Sequence, residues 1–148
     1  MKRAEALRPL SREHLDALLA AKRLREAGDL EEAKQAFLGF WESDGRHHFR
    51  IEEEVLLPNW ARHAEVDRPG VARMLDEHLA IRGEALRLAA GEASLEEARE
   101  LGRLLHDHVR FEERQLFPIV EAALDAASLA DLAAAIEEAE APTPPPSP

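Results

Sequence analysis

Two stretches of the chain pair a histidine with a glutamate four residues later, His48 with Glu52 and His108 with Glu112. On a helix, residues four apart point from one face about one turn apart, so each pair aims an imidazole and a carboxylate at one spot. Those groups are suitable ligands for a transition metal. The pairs sit inside a repeated block. His48-Phe49-Arg50-Ile51-Glu52-Glu53-Glu54-Val55-Leu56-Leu57-Pro58 returns sixty residues later as His108-Val109-Arg110-Phe111-Glu112-Glu113-Arg114-Gln115-Leu116-Phe117-Pro118, with six of eleven positions identical. A lone HxxxE in a glutamate-rich chain is ordinarily a solvated pair. Here the ligand stripe continues as an apolar one. Leu101, Leu104, Leu105, His108, Phe111, Glu112, Gln115, Leu116 and Ile119 share a helical period in the second copy. Phe37, Phe40, Trp41, His48, Ile51, Glu52 and Val55 share it in the first. A buried, unpaired carboxylate is costly, so two at matched positions predict a cation to meet them.

Stepping outward from the blocks, Glu13-His14-Leu15 precedes His48 as Glu77-His78-Leu79 precedes His108, the histidines being 34 and 30 residues apart. Each half is therefore a helical hairpin with a lone histidine, a turn, then HxxxE. Two such hairpins docked about a pseudo-twofold axis gather His14, His48, Glu52, His78, His108 and Glu112 at one centre. The fold class is all-α, an up-down-up-down four-helix bundle over residues 1–127, with a short C-terminal helix over 128–141 and an extended, mobile Pro-rich tail over 142–148.

The first helix is expected from Ser11, as N-cap, to about Ala27, with His14, Leu15, Leu18, Leu19 and Leu24 on its apolar side. The second opens at Asp29 and runs to about Trp60 or Arg62, loosened at Asp44-Gly45 and kinked or ended by Pro58. The third is introduced by Asp67 and Pro69 and closed by Gly91, with Leu75, His78, Ile81 and Leu86 on one stripe. The fourth starts at a Ser94/Glu97 capping box and reaches about Ala123, with Pro118 standing where Pro58 stands. Ser128 caps the last, short helix.

Leucine and alanine dominate the 148 residues and no alternating apolar run suggests a strand. A net charge of −11 leaves no basic face for nucleic acid or an anionic membrane surface. The absence of cysteine rules out disulfides, thiolate zinc sites, iron–sulfur clusters and thiol catalysis. No signal-peptide pattern and no run of membrane-spanning length is present, so the expectation is a soluble, cytoplasmic protein. Glu-x-x-His and HExxH metal motifs, nucleophile elbows and phosphate loops are missing, and there is no tyrosine to serve as a phenolate ligand. His47 and His106 fall on flanks or in solvent, and His63 is expected to be exposed. Glu53 and Glu113 should face outward or back the ligands. Trp41, Phe49, Phe111 and Phe117 read as core.

Four helices bearing His, HxxxE, His and HxxxE resemble the hemerythrin-like, or HHE cation-binding, domain, over roughly Leu10 to Leu124. The resemblance implies a non-haem di-iron centre inside a four-helix bundle, with Glu52 and Glu112 bridging the irons and two histidines on each. Zinc or manganese could occupy the same nitrogen/oxygen ligands. It further implies a small diatomic ligand, dioxygen or nitric oxide, bound at free coordination positions, and a redox partner protein. Two departures matter. Arg82 stands where oxygen-carrying hemerythrins have a second histidine on the third helix, and Glu112 follows His108 by four residues where they place an aspartate at five. The set is closer to bacterial relatives linked to nitric-oxide stress, iron–sulfur repair or iron and oxygen sensing, although the cysteine-bearing segment of the repair proteins is absent. Reversible ligand binding or sensing, a di-iron enzyme removing nitric oxide or peroxide, and an iron-holding protein or a metal-free acidic bundle acting through protein contacts all remain open at this point.

Overall fold

In a computed structural model describing residues 2–142, the chain forms a 3-10 turn and five helices, with no strand among those residues. The turn Glu5–Leu7 leads into α1, Arg8–Glu26. Helix α2 spans residues 30–63 and α4 residues 95–123, with α3 between them at Arg68–Ala89 and α5 last at Ala126–Glu140. Side-chain caps fix most of the starts. Asp29, Asp67 and Asp125 each accept a backbone N–H from the first turn that follows. Ser94 and Glu97 close a reciprocal capping box. Gly91, at φ 75°, ends α3, where Glu92 N donates to Arg87 O and Gly91 N to Leu88 O.

The up-down-up-down order is written in what each helix buries. On α1, Leu10 lies in one apolar cluster, His14 follows, and Ala17, Ala21 and Leu24 lie in the other. On α2 the order reverses, with Phe37 and Trp41, then His48 and Glu52, then Leu56 and Trp60. Helix α3 repeats the α1 order with Met74, His78 and Ile81, and α4 repeats α2 with Leu105, His108, Glu112 and Leu116. A polar layer thus lies between two apolar clusters. Leu132 and Ile136 of α5 are buried in the cluster that holds Leu7, Trp60 and Phe117.

Neither proline breaks its helix. Both α2 and α4 widen into a π-turn, Glu52–Leu56 and Glu112–Leu116, where Leu57 N donates to Glu52 O and Phe117 N to Glu112 O. The wider turn ahead of Pro58 and Pro118 relieves the clash of the ring with the carbonyl four residues back. Both helices then run on, to His63 and to Ala123. The looseness expected at Asp44-Gly45 is a third π-turn, Trp41–Gly45.

Each π-turn adds a residue and rotates the downstream stripe. Beyond Glu112 the buried residues are Leu116, Phe117 and Val120, while Gln115 and Ile119, expected inside, are exposed. Leu15, Leu19, Leu75 and Leu86 also lie outside, because Ala17, Ala20, Ala21, Met74 and Ala85 make the closer contacts at those levels. Ser11 is not a cap, since α1 already begins at Arg8 with Pro9 in its first turn. Asp125, not Ser128, caps α5, and Ser128 supplies the N–H. Except for Pro142, the tail expected over 142–148 lies outside the described residues.

Candidate metal centre

The six residues picked out by spacing meet in the polar layer, His14 from α1, His48 and Glu52 from α2, His78 from α3, His108 and Glu112 from α4. None is more than 5% exposed. Every imidazole turns its Nε2 inward. His48 Nε2 lies 3.2 Å and His78 Nε2 3.3 Å from Glu52 Oε1. His14 Nε2 lies 3.0 Å and His108 Nε2 3.2 Å from Glu112 Oε1. The ligand atoms fall into two overlapping groups, His14/His48/Glu52/Glu112 and His78/His108/Glu52/Glu112, each within 4.8 Å. Both carboxylates belong to both groups.

Of the inward atoms, only His14 Nε2 and Glu112 Oε1 pair with one another in a hydrogen bond. His48 Nε2, His78 Nε2, His108 Nε2, both oxygens of Glu52 and Glu112 Oε2 are buried without a hydrogen-bond partner. Each such orphan costs about 1–3 kcal/mol. Six converging on one layer fit a donor set built for cations, and two cations would satisfy all of them. A family model described as the hemerythrin HHE cation binding domain matches residues 5–120. The chain belongs to the hemerythrin HHE family. No curated protein and no solved structure matched it. Domains of this family bind metal cations, and the buried histidine/glutamate clusters of this hemerythrin HHE domain fit such a site. No helix among the described residues is long and apolar enough to cross a membrane.

Behind every imidazole stands a second carboxylate. Glu13 Oε1 is 2.8 Å from His48 Nδ1, and Glu77 Oε1 is 3.0 Å from His108 Nδ1. Glu53 Oε2 is 2.6 Å from His78 Nδ1, and Glu113 Oε1 is 2.8 Å from His14 Nδ1. Each carboxylate accepts from Nδ1–H, which orients the ring and leaves Nε2 for a ligand. The pattern respects the pseudo-symmetry, since Glu13 and Glu77 serve a histidine of their own hairpin while Glu53 and Glu113 reach across to the other. Glu53 and Glu113 take the backing role that their position next to the inward glutamates suggested. Glu13 and Glu77 were missed, and the signal was present in the matched Glu-His-Leu triplets.

Electrostatics in the hemerythrin HHE layer oppose burial. Desolvation alone would lower the histidines, yet Glu52 and Glu13 raise His48 to about 10. Against the same burial, Glu112, Glu52 and Glu53 raise His78 to about 11, and Glu112 with Glu77 raises His108 to about 9. His14 is raised by Glu112 and Glu113. Burial pushes Glu112 up, but His108, His14 and His78 hold it well below the usual carboxylate range. A strongly negative field thus awaits positive charge.

The other histidines stay out. His47 is exposed, its Nε2 3.2 Å from Ala139 O, and His106 pairs with Asp107 at 3.1 Å. His63 is half-buried rather than exposed, because α5 packs over the end of α2 and brings Asp131 to 3.5 Å.

Proposed function

We propose that the protein is a non-haem di-iron protein that reversibly binds or senses a small diatomic ligand, dioxygen or nitric oxide. His14 and His48 would hold one iron and His78 and His108 the other, with Glu52 and Glu112 bridging. The observation that carries this reading is the overlap of the two donor groups, which share both carboxylates and nothing else. When bound, the iron pair supplies reversible ligation with a change of valence. The chain's own part is to hold four imidazoles in one tautomer through the outer carboxylates, and to keep the layer dry between two apolar clusters. Two imidazoles and two bridging carboxylates per metal leave coordination positions free for a small ligand. Nitrogen/oxygen donors alone do not select iron over zinc or manganese, so the metal's identity rests on the family.

Metal analysis and electronic absorption of protein made with iron available test this. The expected result is two irons per chain, with absorption bands that shift on exposure to oxygen or nitric oxide. Catalytic turnover with a reductant would move the reading to a di-iron enzyme, and a colourless protein without stoichiometric metal would end it. His48→Ala should lower metal content and thermal stability together, since metal binding and folding are coupled, while His63→Ala should leave metal content unchanged.

A further inference from the structure

Two of the four imidazoles are held by the same combination of groups. His78 stacks on Phe49 with centroids 3.8 Å apart and planes 4° from parallel. Its Nδ1 faces Glu53, both oxygens of Glu53 accept from Arg82 at 3.1 Å, and the Arg82 guanidinium lies 5.7 Å from the Phe49 centroid. His14 stacks on Phe117 at 5.4 Å and 17°. Its Nδ1 faces Glu113, which accepts from Arg3 at 2.9 Å, and Arg3 lies 5.5 Å from the Phe117 centroid. Imidazole, phenyl, carboxylate and guanidinium recur in each.

The internal repeat supplies only part of this. Glu53 and Glu113 are equivalent, but Leu18 stands where Arg82 would be in the first hairpin, Val109 where Phe49 would be in the second, and Leu57 where Phe117 would be in the first. Arg3 is not on a bundle helix at all. It precedes the turn Glu5–Leu7 and is tied to α4 through Glu121 and through the backbone oxygen of Glu113. His48 and His108 lack the full set. Glu77 behind His108 has Arg73, but no phenyl ring stacks on His108, and Glu13 behind His48 has no arginine among the described residues.

We infer that Arg3 and Arg82 are positioning residues, each setting the cation affinity of one metal position, Arg3 through Glu113 and His14, Arg82 through Glu53 and His78. This rests on the metal reading above. Each guanidinium fixes the carboxylate that fixes the ring; Arg82 reaches both oxygens of Glu53 through one nitrogen, whereas Arg3 spreads its fork over Glu121 and Glu113, which a lysine cannot reproduce. The position served by Arg3 depends on docking of the N-terminal segment, whereas the position served by Arg82 depends only on α3. The two positions should therefore respond to different single substitutions.

Cobalt(II) titration, followed by visible absorption and calorimetry, tests this in backgrounds that leave one position. In His108→Ala protein, Arg3→Gln should lower the remaining affinity by up to about 10-fold, the low end of what losing the carboxylate behind a ligand costs, and Arg82→Gln should leave it within about twofold. In His48→Ala protein the pattern should reverse. In the first background, Arg3→Lys should recover only part of the loss, because one ammonium cannot span Glu121 and Glu113 as the fork does. If both arginines weaken both positions alike, in step with thermal stability, they are merely structural and the inference is overturned. It is also overturned if neither substitution moves either affinity. If the unsubstituted protein takes up no cobalt, the metal reading itself has failed, and the inference goes with it.

Discussion

The two hairpins, residues 8–63 and 68–123, present the same inward side chains from unlike scaffolds. Each offers one lone histidine and one HxxxE, and each widens into a π-turn at its inward glutamate. Around these the halves diverge. Helix α2 carries an additional π-turn, Trp41–Gly45, where α4 has none, which accompanies a histidine separation of 34 residues against 30. The seam between α1 and α4 is very close at Gly102, where a Cβ would stand 2.8 Å from Ala21 O and from Leu24 Cβ. Sixty residues earlier, inside the extra π-turn of α2, the chain has the exposed Glu42 instead of a glycine. The site's symmetry is therefore maintained locally, by the spacing within one helical turn and by the outer carboxylates, while the packing that holds the helices together is free to differ.

The largest effect should fall where the halves are shared. Glu52→Gln and Glu112→Gln each remove an oxygen donor from both groups, so each should abolish stoichiometric binding of both cations. His48→Ala and His108→Ala should cost one cation each. Metal counting on the four variants checks this, and a glutamine variant that keeps one tight cation would break the bridging assignment.

Proton competition comes next. The metal-free site holds His48 near about 10, His78 near about 11 and His108 near about 9, all above the ordinary imidazole value. A raised folded-state value means stability fully present below about pH 6.5 and lost as pH rises through the folded values. The metal-free thermal midpoint should thus fall steadily from about pH 6.5 upward, while cation affinity climbs over the same window because fewer protons must be displaced. On the acid side Glu113 works oppositely. Burial pushes it up, but His14, Ser11 and Arg3 hold it at about 2, so its contribution is present above about pH 4.3 and lost as pH falls toward that value. Melting curves across pH, with and without cobalt, read both limbs.

Gly102→Ala isolates the scaffold difference. The added methyl meets a backbone oxygen, which cannot swing aside, so overpacking should cost about 1–3 kcal/mol. That outweighs or cancels the gain of up to about 1 kcal/mol from replacing glycine within a helix. Glu42→Ala, at an exposed place on α2, should stay within about 0.5 kcal/mol. Urea unfolding of the pair compares the seams, and equal stability would mean that α1 and α4 can separate without penalty.

How much of this the sequence carried depends on which rule was in force. The inward six were legible because a ligand stripe at i and i+4 continued an apolar one, and both rules hold within a single turn. Past Glu112 the same period placed Gln115 and Ile119 inside and failed, since a π-turn inserts a residue that a constant period cannot register. Pro118, six residues after Glu112, is the cue in the sequence, because its ring needs the wider turn ahead of it. Leu15 and Leu75 misled for another reason. Close helix contacts favour small residues, so Ala17, Ala21 and Ala85 took the interior and left leucines outside. The outer role of Glu13 has a local trace in the matched Glu-His-Leu triplets, whereas that of Arg3 depends on contacts between distant segments, which no local pattern encodes.

The smallest expected effect concerns the corner where hairpin symmetry fails chemically. Glu53, Glu77 and Glu113 each pair with an arginine, Arg82, Arg73 and Arg3. Glu13 instead meets the carboxyl of Glu140, at the last turn of α5, on the wall of a groove of about 590 Å³ shared with Arg8 and Arg12. Burial and the neighbouring Glu13 push Glu140 up to about 7. A raised acid favours folding below its unfolded value near about 4.3 and loses that contribution as pH rises through the folded value. Docking of α5 should accordingly slacken slightly between about pH 5 and 8. Glu140→Gln keeps the shape of the side chain without the titration, so its thermal midpoint should flatten across that window while Glu137→Gln, on the same groove but exposed, should keep the slope of the parent. An unchanged slope in Glu140→Gln would show that the last turn of α5 carries no charge-sensitive contact with Glu13.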